Sequence, residues 1–298
     1  MRIGKIGEFA LIKRISRKIK VDSSVVRASG DDCAVIKYKK DKYLLATCDM
    51  LLEGVDFTSR DEPYLVGRKA MAVSVSDIAA CGGIPRYALV SLGLPKTLNV
   101  KIVDKITQGM IDLAAAYKIN LVGGDLSQAR ELTIDVSMIG VVEKKYLVLR
   151  KGAKAKDIIF VSGSLGGSIF GKHLRFIPRV KEARFLVKHL RVNSMIDISD
   201  GLAADLGHIL EESRVGAVIY EALLPFSKQA KGLNDALFSG EDFELLFTLP
   251  PSQARKLLGK EAKIFHPIGE IVERGDGLRL IDKNNRLRIL KPKGYHHF

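Results

Sequence analysis

The sequence predicts a mixed α/β protein with two domains. At 298 residues, the chain is longer than one compact core usually supports. Short apolar runs rich in β-branched residues at 43–48 and 132–142 predict strands, because such residues pack well on a pleated sheet. Residues 64–81 and 100–117 carry apolar side chains at helical spacing and predict helices. This mixture of the two periods favours an α/β fold class.

The second half of the chain starts a new cycle of elements near residue 157. We predict a strand at 157–162, followed by a Gly/Ser loop at 163–168 and helical stretches. After these we predict a strand at 195–198, a helix at 201–212 and two more strands at 217–220 and 244–249. A polar, lysine-rich stretch at 143–154 separates the halves, as linkers between domains often do. We therefore predict domains at 1–143 and 144–298.

Composition excludes several classes of protein. A content of 47% hydrophobic and 28% charged residues is typical of a folded chain rather than a disordered or fibrous one. No apolar run approaches the roughly 20 residues that cross a bilayer, and the first residues do not resemble a signal peptide. The three cysteines, Cys33, Cys48 and Cys81, form no CxxC pair, which argues against a disulfide framework or a zinc site. We expect a cytoplasmic protein with no membrane partner.

The net charge of +14 indicates anionic partners. A basic surface attracts phosphates, so nucleotides and nucleic acids both fit. The basic residues are spread along the chain, however, and no basic strand interleaved with aromatic residues occurs. A solvated lysine-rich surface explains the same charge equally well. We expect nucleotide binding and no nucleic-acid partner.

Acidic residues occupy distinctive positions in this basic chain. They lie at the ends of apolar runs, often beside glycine: Asp31, Asp32, Asp49, Asp77, Asp125, Asp197, Asp200, Glu241 and Asp242. Strand ends converge at one edge of an α/β sheet, where ligand sites gather, so we expect these side chains to meet there. Crowded carboxylates repel one another unless cations neutralise them, and Mg²⁺ prefers oxygen ligands. The pattern predicts a site for several magnesium ions.

Individual acids also have structural explanations. Asp200 could cap the helix at 201–212, and Asp125 could complete a turn after two glycines. The recurrence of the pattern at six places favours metal binding. Gly82-Gly83 and Gly123-Gly124 would let backbone amides approach phosphate oxygens. Neither a P-loop nor the motif pair of protein kinases occurs, so any phosphate site is of another type.

Six motifs that contain these acids follow one another along the chain. They are Gly30-Asp31-Asp32-Cys33-Ala34, Thr47-Cys48-Asp49, Ser76-Asp77-Ile78-Ala79-Ala80, Gly123-Gly124-Asp125, Asp197-Ile198-Ser199-Asp200-Gly201-Leu202 and Ser239-Gly240-Glu241-Asp242-Phe243-Glu244-Leu245. This ordered set resembles the thiamine-monophosphate kinase family, part of the superfamily that includes aminoimidazole ribonucleotide synthetase. The similarity runs from Gly7-Glu8-Phe9 to Lys293-Gly294-Tyr295, nearly the whole chain. The set is highly specific, although no single motif is.

The resemblance implies a two-domain aminoimidazole ribonucleotide synthetase-like fold. Residues 1–143 would bind ATP and magnesium and pair their sheets across a homodimer, and residues 144–298 would form an α/β domain beside them. The implied magnesium ligands are Asp32, Thr47, Cys48 through its backbone, Asp49, Asp77, Asp125, Asp197 and Asp200. The implied contacts of ATP are Gly124, Asp125, Arg150 and Ser199. Glu241 would contact the acceptor, thiamine monophosphate.

Three positions depart from the family's usual pattern. Asp56 stands where the family usually has a histidine that touches the acceptor, and Pro292 stands where it has tryptophan. One glycine, Gly240, precedes Glu241 where the family often has two. Tyr295 or Phe298 could supply the missing aromatic face. We therefore expect an acceptor site formed by Asp56, Glu241 and Tyr295.

The implied reaction is transfer of the γ-phosphoryl group of ATP to the acceptor phosphate. That phosphate has a second pKa of roughly 6, so it is already largely anionic at neutral pH and needs no general base. We expect direct in-line transfer, in which magnesium ions bring the two polyanions together. The acids that would carry catalysis are Asp32, Asp49, Asp125 and Asp200, with Asp77 as a further ligand.

Two alternatives remain open at this point. The first is another ATP-using enzyme of the superfamily, such as selenophosphate synthetase, the hydrogenase maturation protein or aminoimidazole ribonucleotide synthetase. The reactive cysteines common near the start of the first and at the end of the second are absent here. The second alternative is a basic, non-catalytic protein that binds nucleotides or nucleic acid.

Overall fold

The computed structural model describes residues 3–260 and 263–297. Helices α1 to α9 of the described part are Ile3–Ile6, Glu8–Ser16, Pro63–Ala80, Val100–Tyr117, Lys172–Arg175, Val180–His189, Leu202–Ser213, Leu233–Phe238 and Pro251–Lys260. Strands β1 to β13 are Val25–Arg27, Ala34–Lys39, Lys42–Leu52, Ile84–Leu94, Asn120–Gln128, Thr133–Glu143, Ile158–Ser162, Ser194–Asp197, Gly216–Tyr220, Leu245–Leu249, Phe265–Val272, Leu278–Ile281 and Leu287–Ile289. None of the described helices is long and apolar enough to cross a bilayer.

The N-terminal sheet has six strands in the order β1-β2-β3-β6-β4-β5. All pairs are antiparallel except β4 with β5. Side chains of a strand alternate between the two faces of a sheet. Leu45, Ile134 and Val136 point to one face and pack against α3 and α4. None of the described elements covers the opposite face, which we call the bare face and on which Tyr87 and Leu89 are exposed.

Helix α3 lies at the centre of the molecule and carries several site residues. Pro63 starts it, and the Glu62 side chain caps it by accepting a hydrogen bond from the Leu65 amide. Glycine lets α3 and α4 approach closely, because a Cβ on Gly67 would lie 1.9 Å from the Ile106 carbonyl oxygen. Most of α3 is buried between the N-terminal sheet and elements of the C-terminal half.

The C-terminal sheet has seven strands in the order β13-β12-β9-β11-β7-β10-β8. Only β9 and β12 pair in parallel. One face packs Ile159 and Leu246 against α7 and α8. The other face packs Phe160 and Phe247 against α6 and α9 and against the last turn of α3. The end of α3 therefore joins the two halves of the molecule.

The two ends of the described chain meet over α7. The Phe9 ring on α2 lies edge-on to the rings of His208 and His296, with centroids 4.8 and 5.3 Å apart. Glu8 Oε2 accepts a hydrogen bond of 3.0 Å from the His297 amide. These contacts place the C-terminal segment beside the start of α7.

The predicted mixed α/β class is confirmed, and the predicted strands and helices occur with shifts of a few residues. The expectation that each of these acids lies at the end of a strand is wrong for three of them. Asp49 lies inside β3, Asp77 lies in the last turn of α3, and Asp125 lies inside β5. In sheets that are mainly antiparallel, carboxyl ends of strands do not share one edge. The division of the chain at 143/144 stays a prediction.

Candidate active site

Three carboxyl groups from distant parts of the chain meet between the two sheets. Oxygen atoms of Asp32, Asp77 and Asp197 lie within 4.8 Å of one another. Asp32 precedes β2, Asp77 lies in the last turn of α3, and Asp197 ends β8. The side chains are largely buried, so their charges are poorly screened by water. We call Asp32, Asp77 and Asp197 the carboxyl cluster.

Hydroxyl groups orient the carboxyl cluster and its neighbour Asp49. Thr47 Oγ1 donates to Asp77 Oδ2 at 2.5 Å. On α3, Ser76 Oγ donates to Asp197 Oδ2 at 2.5 Å, and Ser74 Oγ donates to Asp49 Oδ2 at 2.6 Å. Asp49 therefore faces the helix side of β3, next to the cluster.

Burial raises the pKa of Asp49 and of each carboxyl group in the cluster, and neighbouring acids add to this for Asp49, Asp77 and Asp197. Burial raises the pKa of Asp77 well above its usual range, and the charges of Asp49 and Asp197 raise it further. Burial, followed by the charge of Asp32, raises the pKa of Asp197 to about 7. Burial also raises the pKa of Asp49 to about 6. Full ionisation of this group of acids requires a nearby positive charge.

The donor set fits magnesium. It offers hard carboxylate and hydroxyl oxygens, the ligands that Mg²⁺ prefers. Among the described residues, Asp32 Oδ2 is buried and has no hydrogen-bond partner. Such an atom is expensive to bury unless a ligand satisfies it. Asp32 Oδ2 and the carboxylate oxygens of Asp77 and Asp197 would therefore be the atoms that hold a divalent cation.

Arg150 lies directly beside the carboxyl cluster. Its Nη2 donates to Asp32 Oδ1 at 2.6 Å, and its backbone amide donates to Asp31 Oδ1 at 3.0 Å. Arg150 is therefore paired with an acid of the carboxyl cluster. Planar guanidinium groups also bind phosphate through two parallel hydrogen bonds.

Asp200 is not the cap of α7. The cap position is Gly201, and no side chain caps it. Asp205 instead accepts hydrogen bonds from the amides of Asp200 and Gly201 at 3.1 and 3.0 Å. The structural explanation of Asp200 as a helix cap is therefore wrong. Burial raises the pKa of the Asp200 carboxyl, and the charge of Glu8 adds to this.

A cavity of about 390 Å³ adjoins these acids. Asp49 and Asp200 line it on the side of the acids. Its other lining residues include apolar, aromatic, polar and charged side chains: Met50, Leu51, Val55, Asp56, Lys69, Val73, Ile169, Ser199, Ser239, Gly240, Glu241, Phe243, Tyr295 and His297. All three residues predicted to form the acceptor site, Asp56, Glu241 and Tyr295, are among them. We call this space the acceptor cavity.

Pro292 and Tyr295, two C-terminal residues that the sequence singled out, lie in different parts of the structure. Pro292 packs on α7, where a Cβ on Gly207 would lie 2.5 Å from the Pro292 Cβ, and it does not line the acceptor cavity. Tyr295 does line it, and its amide donates to the Asp200 carbonyl oxygen at 2.9 Å. Phe298 lies outside the described residues. Tyr295 is therefore placed where it can offer an aromatic face to a ligand.

Asp125 lies apart from the carboxyl cluster within one chain. Pairing across β3, β6, β4 and β5 aligns Met50, Asp135, Ser91 and Asp125 in one row on the bare face. Three strand spacings separate β3 from β5, about 14 Å. The turn explanation of Asp125 is also wrong, since the residue lies inside β5. The structure thus does not bring Asp125 to the other acids.

Gly124 and Cys48 also have local structural roles. A Cβ on Gly124 would lie 1.6 Å from the Val90 carbonyl oxygen, so glycine is required for β5 to pair with β4. Cys48 Sγ lies on the bare face and donates to Asp135 Oδ2 at 3.2 Å. Their implied contacts with ATP and magnesium stay predictions.

Comparison with known proteins agrees with this geometry. Residues 30–142 match the family described as AIR synthase related protein, N-terminal domain, and residues 153–281 match its C-terminal domain. The thiamine-monophosphate kinase of Aquifex aeolicus is 37% identical, and the alignment covers 100% of both chains. The chain belongs to the thiamine-monophosphate kinase family. The predicted family and its aminoimidazole ribonucleotide synthetase-like fold are therefore confirmed.

Solved structures extend the comparison to the whole fold of the family. The structure of AaThiL complexed with AMPPCP and TMP is 34% identical, with a TM-score of 0.88 over 100% of this chain and 99% of its own. HypE of E. coli, a hydrogenase maturation protein, has a TM-score of 0.74 over 96% of this chain and 98% of its own. Its identity is 20%, so that likeness shows a shared fold alone. The sequence identity of this chain is therefore higher with AaThiL than with HypE, although the folds are alike.

Sequence reasoning missed several residues of this thiamine-monophosphate kinase family site. Ser74 and Ser76 orient acids, Asp205 binds the start of α7, and Lys69 and His173 contact Glu241. The signal for Lys69 was present, because a lysine within the apolar stretch 66–75 of a helix needs a buried partner. His173 carried no comparable signal, since its neighbours in sequence are mixed.

Proposed function

We propose that this chain transfers the γ-phosphoryl group of ATP to thiamine monophosphate, giving ADP and thiamine diphosphate. One observation carries the proposal: Asp49, which lies beside the carboxyl cluster, and Asp200, three residues after Asp197, both line the acceptor cavity. A metal site that opens directly into a ligand cavity suits transfer between two bound phosphates. The names of the relatives and the AMPPCP and TMP bound by AaThiL support the same reaction.

The acceptor cavity suits the heterocycles of thiamine monophosphate. Thiazolium is a cation, and the carboxyl groups of Asp56 and Glu241 both line the cavity. Tyr295 offers an aromatic face on which a flat ring can stack. The acceptor phosphate would then point toward Asp49 and Asp200.

The chain's own residues hold and neutralise the reacting groups. Magnesium ligands would be supplied by Asp32, Thr47, Cys48 through its backbone, Asp49, Asp77, Asp125, Asp197 and Asp200. When bound, Mg²⁺ offsets the repulsion between the two polyanions and the charge of the leaving phosphate. Arg150 leaves Asp32 and binds the ATP phosphates, while Gly124 and Ser199 contact ATP. The acceptor oxygen is already anionic, so no residue has to remove a proton.

We propose that a second copy of the chain covers the bare face of the N-terminal sheet. Tyr87, Leu89 and Val122 are 47%, 46% and 57% exposed and line one hollow of this face, and Leu126 on the edge strand β5 is 71% exposed. Strand β5 also leaves one edge unpaired. Exposed apolar area next to a free strand edge is typical of a subunit interface. A homodimer would also cover Asp125 and place it in a shared site.

Replacing Leu89 with aspartate is expected to turn the dimer into a monomer. A carboxylate buried without a partner in an apolar interface destabilises it by several kcal/mol. Light scattering after size exclusion should show 32.8 kDa in place of twice that mass. Ile289→Asp, on the exposed strand β13, is the control and should stay dimeric. A Leu89→Asp protein with the wild-type mass would contradict the proposed interface.

The function is tested by measuring ADP and thiamine diphosphate formed from ATP in Mg²⁺, with and without thiamine monophosphate. We expect both products only when the acceptor is present. ATP consumption without dependence on this acceptor would favour another enzyme of the superfamily. RNA binding that weakens steeply with salt, without turnover, would favour the non-catalytic alternative. We also propose a cytoplasmic location, consistent with three free cysteines in the described residues.

A further inference from the structure

Lys69 is a fully buried lysine on α3 whose ammonium points at the wall of the acceptor cavity. Its side chain is 1% exposed. The ammonium donates to the Asp56 carbonyl oxygen at 2.6 Å and to Glu241 Oε1, and it lies 3.3 Å from His173 Nδ1. An ammonium has three N–H donors. Two of them go to the Asp56 carbonyl oxygen and to Glu241 Oε1, and with 1% of the side chain exposed the ammonium offers a ligand almost no surface.

Glu241 is held in place from several directions. Its backbone has φ of +64°, in the left-handed region that non-glycine residues rarely occupy. Its amide donates to the Ser199 carbonyl oxygen at 2.7 Å. Glu241 Oε2 lies 3.2 Å from His173 Nδ1, and the side chain remains 27% exposed toward the cavity. The carboxylate is therefore aimed into the acceptor cavity by its neighbours.

Lys69 and His173 also decide the charge of Glu241. Burial by itself raises the pKa of the Glu241 carboxyl, but the hydrogen bond of His173 and the charge and hydrogen bond of Lys69 lower it below its usual range. A carboxylate that stays ionised can attract a cation. Without Lys69, the same carboxyl group would be half-buried beside a single histidine.

We propose that Lys69, together with His173, is a positioning residue for recognition of the acceptor. It holds two groups in place to receive a cationic heterocycle, the Glu241 carboxylate and the loop that carries Asp56, without touching the acceptor itself. This rests on the proposed function, in which Asp56 and Glu241 contact thiamine monophosphate. A specificity site needs such support, because an orientation error of about 1 Å weakens binding strongly.

A purely structural role would give different results. Buried ion pairs often contribute little net stability, because desolvation offsets their attraction. A methionine has a similar length and fills most of the same volume. If Lys69 only filled the core, replacing it would affect folding, ATP use and acceptor use alike. A positioning role confines the effect to the acceptor.

The test is a double-mutant cycle of Lys69→Met and Glu241→Gln, read as separate KM values for thiamine monophosphate and ATP. We expect Lys69→Met to raise the acceptor KM about 30-fold or more, because it removes the partner of a buried charge. The KM for ATP should change less than about threefold. Adding Lys69→Met to Glu241→Gln should raise the acceptor KM several-fold less than Lys69→Met does in the wild type, because one of the two groups that Lys69 positions is already altered and only the loop of Asp56 remains to be released.

Arg68→Met is the matched control on the same helix. Arg68 donates to the carbonyl oxygens of Leu174 and Phe176 and does not contact Glu241. Its acceptor KM should stay near wild type. The proposal is overturned if Lys69→Met raises the KM for ATP as much as the KM for the acceptor. It is also overturned if the fold-changes in acceptor KM of Lys69→Met and Glu241→Gln multiply in the double variant, or if Arg68→Met raises the acceptor KM as much as Lys69→Met does. If Lys69→Met does not fold, two other comparisons are judged by the same criteria. The first compares the double variant with Glu241→Gln, and the second compares His173→Gln with the wild type.

Failure of this proposal is distinct from failure of the proposed function. If the wild-type protein forms no thiamine diphosphate, the reaction itself is wrong. If the wild-type protein is active but Lys69→Met keeps the wild-type acceptor KM, only the positioning role is wrong.

Discussion

Replacing Asp49 with alanine is expected to abolish turnover while the protein stays folded. Asp49 lies beside the carboxyl cluster and lines the acceptor cavity, so its carboxylate would hold the charge that brings the two phosphates together. We expect kcat to fall at least about 1,000-fold, on the order of 4 kcal/mol of transition-state stabilisation. A coupled assay of ADP release, with thiamine monophosphate present, measures this.

Stability provides the internal control for Asp49→Ala. Burial raises the pKa of Asp49 to about 6, so its charge is unfavourable in the metal-free fold. The metal-free variant should therefore unfold at the same temperature as the wild type or slightly higher. Asp104→Ala, at an exposed position of α4, should keep the wild-type rate. If Asp49→Ala keeps its rate, the assignment of this acid to the metal site is wrong.

The metal-free protein is expected to lose stability as pH rises from about 4 to about 7. The pKa of Asp197 is raised to about 7 and that of Asp49 to about 6, above the usual value of 3.8. A raised folded-state pKa means that the folded protein binds the proton more tightly. The resulting stability is complete below the usual pKa and is lost as pH passes the raised values. The sum is on the order of a few kcal/mol.

Magnesium should reverse this loss. At pH 7.5, added Mg²⁺ is expected to raise the midpoint of thermal unfolding by about 4 °C or more, because it binds the folded state alone. Asp77→Asn removes one carboxylate of the cluster and should be more stable than wild type without metal at this pH. Its midpoint should respond less to Mg²⁺. A wild-type midpoint of thermal unfolding that does not change with Mg²⁺ and is highest near pH 7.5 would argue against a cation site.

Much of the fold could be predicted from periodicity. Helices α3 and α4 and strands β3 and β6 are long and strongly patterned, so local preference and tertiary packing agree. The antiparallel order of the sheets could not be read in this way. Strand β5 illustrates the difficulty, since its glycines weaken the strand signal and its side chains are all exposed in one chain.

The sequence predicted which residues form the candidate site better than it predicted where those residues lie relative to one another. The motifs brought Asp32, Asp77 and Asp197 together, and the structure places them in one cluster. The same reasoning could not separate Asp125 from that cluster, because the face of a strand depends on register. It could not find the partnership of Lys69 with Glu241 either. Those residues are 172 positions apart, and only the packing of α3 against the C-terminal half joins them.

The most direct measurement of the central claim is a crystal structure with Mn²⁺ in place of Mg²⁺, a non-hydrolysable ATP analogue and thiamine monophosphate. Anomalous scattering locates the manganese ions without ambiguity. We predict ions bound by Asp32, Asp77 and Asp197, with phosphate oxygens of both ligands beside them and Arg150 moved from Asp32 to the ATP phosphates. Ions and phosphates bound elsewhere, with these acids still held only by Arg150 and the serine and threonine hydroxyls, would contradict the account.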